Sequence, residues 1–127
     1  MPIKTLLTQA NIKRNNMEIS YANSKIRKIC IDARIAQRVL GKANAEILQA
    51  RLQQMQDAEN LAELRYAAGD YHELIGDRKG EIACRLLKRV RLVFIPANDP
   101  RPTKPDGGLD WEQVTAIVNL EITDYHK

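Results

Sequence analysis

Three features of this chain predict an α+β domain: apolar residues at helical spacing between Ser24 and Tyr66, a switch to a period of two beyond Gly69, and a short alternating strand, Met17 to Tyr21, ahead of both. A length of 127 residues supports one hydrophobic core and no more. The expected arrangement is an N-terminal strand and two to three helices packed on a mainly antiparallel sheet of about four to five strands.

Residues 1–16 show no periodicity and are expected to be a flexible extension, or the product of an upstream start with Met17 as the usual one. Residues 17–127 then form the single domain. Asn23 and Ser24 suit the N-cap of a first helix running to about Ile31, with Ile26, Ile29 and Cys30 on its apolar side. Asp32 can cap a second helix from Ala33, and Gly41 ends it before a longer stretch from Lys42 to Asp57. In that stretch Ile47, Leu48, Leu52 and Met55 follow helical spacing and should face a sheet. Asn60 to Tyr66 reads as one further helical turn, and Gly69 as a breaker.

Beyond it, residues 71–75 read as a strand, Gly76 to Gly80 as a turn, and Glu81 to Leu87 as a second strand. Lys88 and Arg89 turn the chain into a third, Val90 to Ile95, with Leu92 and Phe94 on one side and Arg91 and Val93 on the other. Four prolines and Gly107-Gly108 make 96–110 a loop. Trp111 to Tyr125 holds the last strand, in which Val114, Ala116, Val118, Leu120 and Ile122 recur at every second position.

Composition narrows the function classes. A hydrophobic share of 44% and a charged share of 28% are ordinary for a soluble globular protein. No apolar run approaches the length of a membrane span, and no secretion signal is recognisable at the N-terminus. Cys30 and Cys84 are too few and too unpatterned for a disulfide framework or a zinc site, so a reduced, cytoplasmic protein without metal or other cofactor is expected. The net charge of +4 is uneven: Lys4, Lys13 and Arg14 supply +3 without any acid, leaving +1 for the rest. Within that rest, positions 75–91 hold Arg78, Lys79, Arg85, Lys88, Arg89 and Arg91 against Asp77 and Glu81, a local excess of +4. Such a concentration suits phosphate binding at one face, although basic hairpins also serve to discourage edge pairing.

Both histidines of the chain lie beside chemistry-bearing neighbours. His72 opens HELIGDRKG, and His126 closes EITDYH next to Asp124 and Tyr125. Imidazoles that exchange protons near neutrality, combined with guanidinium donors, meet the needs of phosphodiester cleavage by the adjacent 2′-hydroxyl. That reaction takes a base for the hydroxyl, a cation for the phosphorane and an acid for the 5′-oxygen.

HELIGDRKG, then RLVFIPAND followed by GGLDW, then EITDYH occur in an order and spacing that resembles the HigB-like toxins of the RelE superfamily, the "killer protein" half of bacterial type II toxin–antitoxin pairs. The resemblance runs from about Met17 to His126. It implies a RelE-like fold and a metal-independent, ribosome-dependent endoribonuclease that cuts mRNA. It also implies a cognate antitoxin, commonly a helix-turn-helix protein that binds the operon's promoter, so that operator DNA is contacted indirectly and no membrane is involved. By the same resemblance His72, Arg91, Asp124, Tyr125 and His126 form the catalytic group, with Arg78, Lys79, Arg85, Lys88 and Arg89 as ribosome- or RNA-binding residues. Either His126 or Asp124 would be the base, His72 the acid, Arg91 the phosphate ligand, and Tyr125 a stacking or orienting group.

The chain also departs from the pattern. Ile75 stands where many relatives have lysine, and Ile82 and Val90 stand near positions where tryptophans are common. Fewer cations at the phosphate and less surface for stacking bases follow. Two other function classes therefore stand beside the nuclease: a catalytically weak relative that mainly binds its antitoxin and tunes operator binding, and an unrelated nucleic-acid-binding module.

Overall fold

A computed structural model describes residues 15–124 of the chain. The expected N-terminal extension therefore lies almost wholly outside the described residues, as do Tyr125 and His126. The fold is α+β: a five-stranded sheet in the order β1-β5-β4-β3-β2, with helices packed on one face. The strands are β1 (Glu18–Tyr21), β2 (His72–Glu73), β3 (Ile82–Arg85), β4 (Val90–Pro96) and β5 (Ala116–Asp124). β1 runs parallel to β5, and every other pairing is antiparallel.

Local signals set the helix boundaries. The Asn23 side chain accepts a hydrogen bond from the Ile26 amide at 3.0 Å and starts α1 (Ser24–Ile31). Asp32 accepts from the Arg34 and Ile35 amides and starts α2 (Ala33–Leu40). Gly41, at φ +86°, turns the chain into α3 (Lys42–Asp57), a geometry that glycine takes without strain. Asn60 then caps a 3₁₀ turn, Leu61–Tyr66, in place of an α-helical one.

The apolar stripes of these helices meet Ile82, Cys84, Leu92, Phe94 and Ile117 on the sheet, and Leu48, Met55 and Phe94 are fully enclosed. Ile47 is only partly buried at the margin of the same core. Tyr71 packs edge-on against Phe94 with ring centroids 6.2 Å apart. Burial pushes the thiols of both Cys30 and Cys84 up to about 12, so each behaves as a small apolar core residue. Trp111 is buried as well; its indole N–H donates to Glu73 at 2.8 Å, and Arg65 stacks over its ring at 3.9 Å. Among the described residues no helix is long and apolar enough to cross a membrane.

Several sequence-based boundaries need correction. The strand expected over 71–75 is confined to His72–Glu73: Leu74 still donates to the Glu81 oxygen directly opposite, and the 3₁₀ turn Gly76–Arg78 then ends the pairing. Glu81 to Leu87 shortens to Ile82–Arg85. Trp111–Gln113 is a 3₁₀ turn, so the last strand begins at Ala116.

The inward phase of β5 also differs. Ile117 and Asn119, not Val118 and Leu120, are fully buried. The register then slips: Phe94 pairs with Asn119 while the preceding Val93 pairs with Glu121, leaving Leu120 as the extra residue of a β-bulge. Past the bulge Ile122 faces the core, where an unbroken alternation would have placed its neighbour.

Candidate functional site

Directly paired residues in an antiparallel ladder project to the same face of a sheet, so the register fixes which side chains share one. His72 pairs with Ala83, Ala83 with Val93, and Val93 with Glu121. Two residues along, Arg85 pairs with Arg91, and Arg91 with Thr123. All lie on the face away from Phe94 and Leu92, hence away from the helices. On this open face His72, Arg85 and Arg91 come together, and Arg85 and Arg91 stand directly opposite one another. Like charges so placed repel and weaken a sheet unless an anion compensates them.

Each member has its own anchor. The His72 imidazole is 43% exposed, with Nδ1 2.8 Å from the backbone oxygen of Asp70 and 3.8 Å from its carboxylate. Arg91 donates to the backbone oxygens of Lys88, at 3.0 Å, and Val90, at 3.3 Å, which bends its guanidinium toward the β3–β4 turn. Arg85 is exposed, and its own backbone oxygen accepts a hydrogen bond from the Arg51 guanidinium at 2.7 Å.

The remaining basic residues divide into three groups. Arg78 arches over the open face, where its guanidinium is bonded to the carboxylates of both Glu81 and Glu121. A charge expected to meet phosphate is thus already shared between two acids. Lys79 is exposed at the end of the 3₁₀ turn. Lys88 and Arg89, the former at φ +55°, line an open depression of about 710 Å³ with Asn44, Leu87, Val90 and Asp124. The Asn44 side chain accepts from the Leu87 amide at 2.8 Å and ties this turn to the start of α3.

Asp124 is the sequence-predicted residue that the register sets apart. Its partner is Val90, which packs against the core, so Asp124 projects to the helix side while Arg91 projects to the other. Ile75 is 87% exposed beside the 3₁₀ turn, and Ile82 is a fully buried core residue. Val90 is partly buried against the same core.

A second basic surface escaped the sequence reading. Lys25, Arg27, Lys28, Arg34, Arg38 and Lys42 are all exposed on the helical layer, with Asp32 as the sole acid in that interval. The first turns of α1, α2 and α3 contain no acidic residue, whereas Lys28 and Arg38 lie in the last turns of α1 and α2, where a cation complements the helix dipole. The signal is a charge count: positions 25–42 hold six cations against one acid.

No family model matches the chain, and no curated protein is significantly similar to it. The class defined by fold and geometry is that of a small α+β domain with a helix-covered face and an open face that carries a histidine and an opposed arginine pair.

Proposed function

We propose that this chain is a HigB-like toxin of the RelE superfamily: a ribosome-dependent mRNA endoribonuclease, cytoplasmic, and restrained by a cognate antitoxin. The observation that carries the reading is the Arg85–Arg91 pair opposed across β3 and β4, with His72 on the same open face. An RNA phosphate seated between the two guanidinium groups would receive forked donors suited to a phosphorane. From strand spacing, His72 lies about 10 Å across the sheet and about 7 Å along it from Arg91. Long side chains can close on one linkage over such a span. Asp124 faces the helix side, so in this reading proton transfer falls to the histidines, His72 and His126. Tyr125 keeps the stacking or orienting role that the resemblance implies.

A second reading, a catalytically weak relative that works by gripping its antitoxin, draws on Ile75 and Arg78. An exposed isoleucine stands where relatives hold a cation, and the neighbouring arginine is engaged by two carboxylates.

Expression without antitoxin should arrest growth and truncate messages inside reading frames, and His126→Ala should slow cleavage about a hundredfold or more. Primer extension on ribosome-bound message reads both effects. Growth arrest at full strength by the His126 variant would favour the binding protein over the nuclease.

A further inference from the structure

The turn that precedes β2 is more constrained than its exposure requires. Gly69 and Asp70 adopt positive φ in succession, +125° and +52°. A Cβ on Gly69 would lie 2.7 Å from Nε of Arg51. That same Nε donates to the Arg85 backbone oxygen at 2.7 Å, while the Arg85 amide donates to the Gly69 oxygen at 2.7 Å. On the other side, Tyr71 is buried and its hydroxyl donates to Gln54 at 2.7 Å. The turn is therefore clamped between α3 and β3, and a non-glycine residue is held in the left-handed region, where aspartate is among the more tolerant types.

The product of this constraint is the 2.8 Å approach of the Asp70 backbone oxygen to Nδ1 of His72. A carbonyl oxygen brings no proton, so Nδ1 must donate one. A neutral imidazole has a single N–H, which leaves Nε2 with its lone pair. From this geometry we infer that Asp70 is a positioning residue whose left-handed backbone fixes His72 as the Nδ1–H tautomer, presenting Nε2 as a proton acceptor on the open face.

The role assigned to that acceptor rests on the nuclease reading and reverses the acid role that the sequence suggested for His72. The 2′-hydroxyl proton passes to Nε2 as the 2′-oxygen bonds to phosphorus. The bond from phosphorus to the 5′-oxygen breaks, and that oxygen leaves with a proton from a second acid or from water. The Asp70 carboxylate, 3.8 Å from Nδ1, faces the imidazolium so formed.

Long-range ¹⁵N–¹H correlation spectra of the full chain, at a pH where His72 is neutral, read the tautomer directly. Wild type and Asp70→Gly, which keeps both the carbonyl and the positive φ, should show Nδ1–H. Asp70→Val, whose branched side chain disfavours positive φ, should swing the carbonyl away and shift His72 toward Nε2–H. Ribosome-dependent cleavage by the valine variant should fall at least about tenfold below that of the glycine variant. Should the valine variant not fold, Asp70→Ala applies the same pressure more gently. Wild-type His72 found mainly as Nε2–H, or a tautomer unmoved by valine and alanine alike, overturns the inference. A locked tautomer in a protein that cuts no RNA on ribosomes would uphold the positioning and overturn the role as base, which separates this failure from that of the fold geometry.

Discussion

On the helix side of the sheet, Ile82, Cys84, Leu92 and Phe94 are sealed by apolar side chains from three helices. On the other side Ala83 and Val93 are equally inaccessible to solvent, and there Arg78 bridges Glu81 and Glu121. One face is closed by burial of apolar area, which is strong and insensitive to salt. The other carries an ion-pair network at its surface, which contributes little and weakens with ionic strength. A protein that must admit a polyanion can use the second kind of surface, because a phosphate competes for the same guanidinium. Under the proposed function, stability and ligand access fall on opposite sides of the same strands.

Substitutions can break that division. The largest effect is expected from Phe94→Ala, which should cost about 3–5 kcal/mol because its ring is fully enclosed and packs against Tyr71. Urea denaturation measures it, and a loss below about 1 kcal/mol would mean that the helix side is not the main core. Asn119 sharpens the contrast from within. Its side chain is fully buried in the core layer, and neither amide atom has a hydrogen-bond partner. Asn119→Leu, of similar shape, should raise stability by about 1–3 kcal/mol through removal of an unmet polar group. A lower denaturation midpoint in that variant would show that the amide is satisfied in solution. The smallest effect belongs to Arg78→Met, expected to cost about 1 kcal/mol or less, since both carboxylate partners are partly exposed. Its signature is the salt dependence: wild type and variant should converge in melting temperature as ionic strength rises. A gap that persists in high salt would show that Arg78 acts through packing of its alkyl stem.

Sequence reading succeeded where the signal was local. Asn23, Asp32 and Gly41 state their roles within a few residues, because a cap needs only its own helix turn. The open face was partly legible, since the alternation in Val90 to Ile95 already puts Arg91 opposite to Leu92 and Phe94. What no local window contains is the slip at Leu120, which depends on how β5 meets β4. For that reason alternation alone does not mark Asn119 as a core residue, and the resemblance groups Asp124 with Arg91 although their faces differ. The Asp70–His72 contact was equally hidden, because aspartate carries no sequence mark for a left-handed backbone.

Leu120 has one more consequence, for the evolution of chain length. Before it the odd-numbered residues of β5, Ile117 and Asn119, turn toward the helices; after it the even-numbered Ile122 and Asp124 do. The extra residue is a parity reversal built into a single strand. Removing Leu120 itself would restore unbroken alternation and leave every later side chain on its present side. Removing a second residue would carry all of them to the opposite side. At Leu120, then, the strand can lose one residue without changing either surface, whereas any further single-residue deletion trades one surface of the protein for the other.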